Sequence, residues 1–377
     1  MSEPHIYLDY NATAPARPEV IETVARVMAR VGNASSVHGP GRAARQDVEA
    51  ARAAVAALVG AEPRNVIFTS GGTESDNLAL KGTGGRRLMV AATEHGAVLA
   101  PALLHDAQAV ILPVDGEGVI DLAALEQALA ASDRPALVAV MLANNETGVI
   151  QPVARIAAIA HAHGALVHCD AVQSAGKIPV DIEALGVDLM SLSAHKLGGP
   201  QGIGALVLGH DLEIHAEIVG GGQEMGRRSG TENVAGIAGF GRAAALALAG
   251  LDGYRALATL RDGMERRLRG IAPQARVFGA GAERLPNTSC ISMPGVRSDV
   301  QVMTFDLAGI AISAGSACSS GKVSASHVLE AMGIPHDEAM TGVRVSLGWG
   351  STAAEIDRFV EVWEELYRRS GRQADAA

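Results

Sequence analysis

The stretch ALVHCDAVQSAGKIPVDIEALGVDLMSLSAHKLGGPQGIGALVL (165–208) shows what kind of sheet this chain builds. Two short apolar runs, 165–172 and 188–194, are continuous rather than alternating, the pattern of strands buried on both faces. Each run ends in polar residues: DAVQSAGK after the first, SAHK after the second. Asp170 and Lys196 thus stand at the ends of consecutive predicted strands, 26 positions apart. The GxxGxG run in GGPQGIGALVL precedes a strand instead of opening a helix, so it lacks the context of a dinucleotide-binding turn.

The same rhythm extends in both directions. Upstream lie the apolar runs VIFTS (66–70), LMVAAT (88–93), AVILPV (109–114) and ALVAVMLA (136–143). Helical periodicity marks 18–31, 43–59, 121–131 and 152–163. Strands alternating with helices predict an α/β fold, a mainly parallel sheet flanked by helices. Past about residue 250 a charged helix (254–270) leads into shorter strands and helices ending with 353–369, which reads as a second, smaller α+β domain.

Composition narrows the function classes. The chain has 377 residues, 48% hydrophobic, and a formal net charge of -10 with acidic and basic residues interspersed. No basic block or aromatic-studded stripe points to nucleic acid. MSEPHIYLDY lacks a signal peptide's charged and apolar regions, and VAGIAGFGRAAALALAGL (234–251) is interrupted by Arg242 and falls short of a membrane span. Cys169, Cys290 and Cys318 are odd in number and far apart, so neither a disulfide framework nor an intrinsic metal site is indicated. A reducing cytoplasm fits best.

Polar clusters sit at the ends of five apolar runs, and in open α/β sheets ligands bind beyond the strands' carboxyl ends. SGGTESDN (70–77) stands at a strand-to-helix junction, where the glycines (Gly72 among them) and Thr73 offer an anion seat; an ordinary helix cap reads the same way. Asp170 is a strand-end acid that needs a partner if buried, and a solvated charge otherwise. Lys196 beside glycines suits a desolvated amine that forms a Schiff base, or a surface charge. Together the three match one cofactor, pyridoxal phosphate, which needs a phosphate seat, an aldehyde partner and an acid for its ring nitrogen. His95 can stack on the ring or cap a helix. Arg344, on a late strand, can clamp a substrate carboxylate. Cys169 and Cys290 lie in apolar strands and read as core. Cys318, in SAGSACSSGK (313–322) near Lys322, cannot pack there. It suits a swinging nucleophile that takes up sulfur from the cofactor site.

YLDYNATAP, GNASSVHGPGR, GGTESDN, TEHGAVL, NNETG, CDAVQSAGK, SAHKLGGPQGIGAL, GGGQEMGRRSGTEN and SAGSACSSG together resemble cysteine desulfurases of the NifS/IscS type, in the class V aminotransferase group, from about residue 6 to 365. The resemblance implies fold type I, with a large cofactor-binding domain (15–253) and a small domain (1–14 and 254–377) carrying Arg344 and the Cys318 loop. It implies a Schiff base at Lys196, Asp170 on the pyridine nitrogen, and His95 stacked on the ring. Gln173 and Asn145 would bond the ring hydroxyl, and Gly72, Thr73, Ser193 and His195 would hold the phosphate. Thr231 would reach the phosphate of a second subunit in a homodimer. Arg344 and Asn145 would bind the carboxylate of L-cysteine, and Cys318 would carry the persulfide, with transient contact to an iron–sulfur cluster on a partner. The segment around Cys318 resembles the family's long-loop group. The acceptor implied is an iron–sulfur scaffold or another sulfur-accepting protein, in nitrogenase assembly, housekeeping assembly or tRNA thiolation. Gln201, Met225 and LGWGST (347–352) depart from the family's usual residues. A selenocysteine lyase or an aminotransferase on the same scaffold, and a cofactor-less sulfur-relay protein, are the alternative readings.

Overall fold

The computed structural model describes residues 6–314 and 325–374. Its larger sheet is built from β2 (Val66–Thr69), β3 (Arg87–Ala91), β4 (Val110–Leu112), β5 (Ala136–Met141), β6 (Leu166–Asp170), β7 (Leu189–Ser193) and β8 (Gly204–Leu208), in the order β2-β8-β7-β6-β5-β3-β4. From β7 through β6, β5 and β3 to β4 every pairing is parallel. Strand β8 alone runs against its neighbours β7 and β2. The reason is chain length: only residues 194–203 join β7 to β8, too few for the helical crossover that a parallel pair requires.

Successive residues of the buried strands serve opposite faces. Val138, Val140, Cys169 and Met190 pack with helices Gly39–Leu58, Val153–Ala162 and Val234–Ala249. Leu137, Ala139, Leu189 and Leu206 pack on the other side with helices Gly72–Gly82 and Gly96–His105. Both faces are therefore covered, which is why the runs are continuously apolar. Among the described residues no single helix is long and apolar enough to cross a membrane; Val234–Ala249 and Leu251–Ile271 pass that test only as a pair bent by 64°.

A second core lies around a three-stranded antiparallel sheet, β11 (Ser313–Ala314), β12 (Gly342–Ser346) and β9 (Thr288–Ser292). Leu8 packs there with Leu257, Met264 and Trp363, from helices Leu251–Ile271 and Ala353–Ala374. Strand β1 (Ile6–Tyr7) pairs in parallel with β10 (Ile310–Ala311). The run GIAIS (309–313) is split at Ile312. Its first half follows β1, while its second half turns to pair with β12.

The segment 220–233 crosses the surface with two non-glycine residues in left-handed conformation, Glu224 (φ 48°) and Met225 (φ 57°). Such residues persist where their surroundings hold them. The buried Glu224 carboxylate receives Arg52 Nη1 at 2.7 Å, Arg52 Nη2 at 3.0 Å and the Phe68 N–H at 2.9 Å. Cutting one partner of a buried pair leaves the other charge uncompensated. Glu224→Ala is therefore expected to lower stability by about 3–5 kcal/mol, read as the shift in urea midpoint at unchanged slope.

Candidate active site

The carboxyl ends of β2, β5, β6 and β7 open onto one cavity of about 700 Å³. Helix Gly72–Gly82 starts at its wall with Gly71 at the N-cap position and no side chain capping it. An ordinary cap is therefore not what this junction supplies. The first-turn N–H groups at Gly72 and Thr73, which line the cavity, are left for an anion. Ser193 and His195 line the same end. His195 Nδ1 sits 3.1 Å from Thr13 Oγ1, and burial, then Lys196, bring its pKa down to about 4.

Asp170 closes β6 and accepts the Val172 N–H at 2.8 Å. Burial raises its pKa, while that N–H, His95 and Lys196 oppose the rise. Two further buried acids stand near it, Asp76 and Glu94, and burial pushes both well above the carboxylate range. Asp76 Oδ1 and Glu94 Oε2 are buried without a hydrogen-bond partner. Three carboxyls in one apolar floor cannot all ionise. Asp170 is the one with both Lys196 and His95 acting to keep its charge.

Lys196 follows β7 in a short turn, and its Nζ donates to the carbonyls of Asn11 (2.6 Å) and Ala12 (2.8 Å). Burial, then Arg344, lower its pKa to about 8 against the pull of Asp170 and Asp9. The amine is thus readily neutral, as a nucleophile must be. His95 takes the helix-capping role that one of its two readings offered. It caps helix Gly96–His105, with Nδ1 accepting the Ala97 N–H at 3.1 Å, and it also lines the cavity. Because Nδ1 accepts, the neutral ring carries its proton on Nε2.

Arg344, buried on β12, donates to Asp9 Oδ1 (2.7 Å) and the Asn145 carbonyl (3.1 Å), and its Nε has no partner. Asn145 and Gln173 also line the cavity. Thr231 does not: it is exposed in the segment 220–233. Cys318 and Lys322 lie outside the described residues, but Ala314 and Ala325, which bracket them, both line the cavity. Of the departures, Gln201 borders the anion seat, and Trp349 packs on Tyr10 and under Arg17 rather than facing the cavity. Among the described residues no group of His, Cys, Asp and Glu suits a metal ion.

Sequence reasoning passed over Asp9, Asn11, Asp76, Glu94, Lys177 and His327. Lys177 and Asn11 sit inside motifs quoted above, and a lysine among small residues in DAVQSAGK was the available signal. His327, at the cavity rim, donates from Nε2 to the Glu94 carbonyl at 2.9 Å, a bond that joins residues 233 positions apart. No local pattern announces such a contact.

The aminotransferase class-V family profile matches residues 6–359. The chain belongs to the class-V aminotransferase family. This class-V chain is 45% identical over 368 residues to a cysteine desulfurase of Cereibacter sphaeroides, covering 95% of this chain and 94% of that protein. It is 41% identical to an IscS-like cysteine desulfurase of Mycobacterium tuberculosis, covering 98% of each. Among solved structures, a NifS-like protein from Rickettsia africae superposes with a TM-score of 0.90 at 37% identity, covering 97% of this chain and 99% of that one. The class-V chain has the fold type I architecture.

Proposed function

We propose that this protein is a cysteine desulfurase: it takes the sulfur of L-cysteine, releases L-alanine and holds the sulfur as a persulfide on Cys318. One observation carries this reading. Lys196, Asp170, Arg344 and both ends of the segment bearing Cys318 meet at a single cavity. The full-length relatives named as cysteine desulfurases support it.

The donor set fits pyridoxal phosphate. The uncapped helix start at Gly72 and Thr73, with Ser193 and His195, would hold its phosphate. Asp170 would face its ring nitrogen, Gln173 and Asn145 its hydroxyl, His95 its ring face, and Lys196 its aldehyde carbon. Bound there, the cofactor supplies an electron sink for the pair released at the substrate's α-carbon.

The chain's own groups do the rest. Arg344, with its spare Nε, and Asn145 bind the substrate carboxylate. Lys196 Nζ, whose pKa is lowered to about 8, takes the α-proton in its neutral form. The Cys318 thiolate attacks the substrate sulfur; an S–S bond forms, the carbon–sulfur bond breaks, and its electron pair stays with the carbon, which is then protonated to the methyl of alanine. Residue 318 is four positions past Ala314, so the chain spans at most about 14 Å between them. Ala314 lines the cavity, and so short a link supports the reading.

Purified protein supplied with pyridoxal phosphate, L-cysteine and a thiol reductant is expected to form alanine and sulfide in equal amounts. Alanine formed from a keto acid without sulfide would overturn the reading in favour of amino transfer. Arg344→Lys keeps the charge but loses the planar fork, and is expected to raise KM for cysteine about 10–100-fold with a smaller change in kcat. Initial rates across cysteine concentration check this.

The active form in this reading is a homodimer, in which Thr231 reaches the partner's phosphate seat. Its support is the exposure of Thr231 away from the cavity, together with exposed apolar Met225 (56%) on the same segment and Val219 (79%) just before it. An acceptor protein, such as an iron–sulfur scaffold, takes the persulfide sulfur onward.

A further inference from the structure

We propose that Asn11 and Lys177 are positioning residues for the Lys196 amine: a buried clasp between them fixes the two carbonyls that hold Nζ. The inference rests on the reading of Lys196 as the Schiff-base lysine and base, and adds the parts that aim it.

Asn11, 1% exposed, uses every polar group it has. Its N–H donates to Ser346 Oγ at 3.0 Å. Its Nδ2 donates to Thr288 Oγ1 at 2.9 Å and to the Asn145 carbonyl at 3.2 Å. Its Oδ1 accepts Lys177 Nζ at 2.7 Å and Asn287 Nδ2 at 3.2 Å. Its carbonyl accepts Gln173 Nε2 at 2.9 Å and Lys196 Nζ at 2.6 Å. The partners come from both sheets' surroundings: Thr288 and Ser346 end β9 and β12, while Gln173, Lys177 and Lys196 follow β6 and β7. Asn11 therefore cannot shift without breaking bonds on both sides.

Lys177 is 2% exposed and lies between Asn11 Oδ1 and Gln173 Oε1, each at 2.7 Å. Burial, then Lys196 and Arg344, push its amine well below the usual lysine range. No carboxylate pairs with it among the described residues. Its Nζ donates to both of these oxygens. One consequence is that the Gln173 amide is oriented: its oxygen faces Lys177 and its NH2 faces the Asn11 carbonyl.

The same count applies to Lys196. Its neutral amine spends two N–H donors on the carbonyls of Asn11 and Ala12, so the lone pair points away from them. That is what a base needs, a lone pair with one fixed direction instead of a rotating amine. The charged or titrating groups that act on Lys196 here are Arg344, Asp170 and Asp9, with Lys177, His95 and His195 close by.

Lys177→Met removes both of that residue's bonds at similar length, and Asn11→Ala removes the anchors of the carbonyl while leaving the carbonyl in place. Full-length apoprotein is methylated with formaldehyde and cyanoborohydride from about pH 6 to about pH 11, and the extent at Lys196 is measured by peptide mass spectrometry. The wild-type midpoint is expected near 8. Loosened carbonyls hold the ammonium form less well, so each variant's midpoint is expected to fall by about half a unit or more. In the loaded enzyme kcat is expected to fall about tenfold with KM for cysteine within about twofold. A role in stability alone would lower the urea midpoint and leave the Lys196 midpoint at its wild-type value, and that result in either folded variant overturns the inference. Asn11→Ala carries the comparison should Lys177→Met not fold. Borohydride reduction of loaded wild-type protein separates the two failures. Cofactor fixed at Lys196 with unchanged midpoints sinks the clasp alone, whereas cofactor fixed elsewhere sinks the reading of Lys196.

Discussion

Lys196→Ala is expected to cut alanine and sulfide formation from L-cysteine by at least about a thousandfold. In the proposed reading two functions leave with the amine: covalent attachment of the cofactor and removal of the α-proton. General-base help alone is worth about a hundred- to ten-thousandfold. Among the described residues nothing nearby replaces it. Lys177 is 2% exposed and spends its amine on Asn11 and Gln173, and His95 has Nδ1 committed to the Ala97 N–H. Lys196→Arg is expected to fail equally, since a guanidinium stays protonated and has no lone pair to offer. Cofactor uptake is expected to survive in Lys196→Ala, because the helix start at Gly72 and the Asp170 carboxyl are untouched. Borohydride should then fix no cofactor to the chain, checked by intact mass. A reduced, cofactor-sized mass increase with normal turnover in Lys196→Ala would place the Schiff base on another residue.

The large sheet could be read from the chain because its strands are buried on both faces: Leu137 and Val138 face opposite layers, and each layer demands an apolar residue. The same burial made Asp170 and Lys196 conspicuous, as polar residues where such runs stop. The reversal of β8 follows from the ten residues before it, a matter of link length and not of composition. What stayed hidden acts across long sequence separations. Ile310 and Ser313 stand three positions apart, yet the first pairs with Ile6 and the second with Arg344. Asn11 reads as a turn residue, and only the folded chain brings Lys177, Gln173 and Lys196 around it. Asp76 likewise comes to lie 3.5 Å from the buried His168 only in the folded chain.

Cys318→Ala is expected to leave the cofactor bound and the α-proton exchanging with solvent, while sulfide release falls by at least about a hundredfold. The separation follows from where the groups lie. Lys196 and Arg344 are built into β7's turn and β12, and neither depends on the thiol. Sulfur removal in the proposed reading does depend on it, because there the thiolate takes the sulfur as the carbon–sulfur bond breaks. The other two cysteines cannot stand in: Cys169 and Cys290 are 0% exposed, and burial pushes both thiols up, away from the reactive thiolate. The segment holding Cys318 is anchored at its two ends. Ser313 Oγ donates to Asp9 Oδ2 at 2.8 Å, and Ser326 Oγ donates to Glu146 Oε2 at 2.5 Å. Asp9 also holds Arg344, so Ser313 and the group proposed to bind the substrate carboxylate share one carboxylate. Incubation with L-cysteine in deuterated water gives both readouts at once: deuterium in recovered cysteine reports Lys196, and one added sulfur atom on the Cys318 peptide reports the carrier. A Cys318→Ala protein that exchanges deuterium and still releases sulfide at the wild-type rate, with Cys169 and Cys290 intact, would show that the sulfur leaves by a route that needs no thiol of this chain.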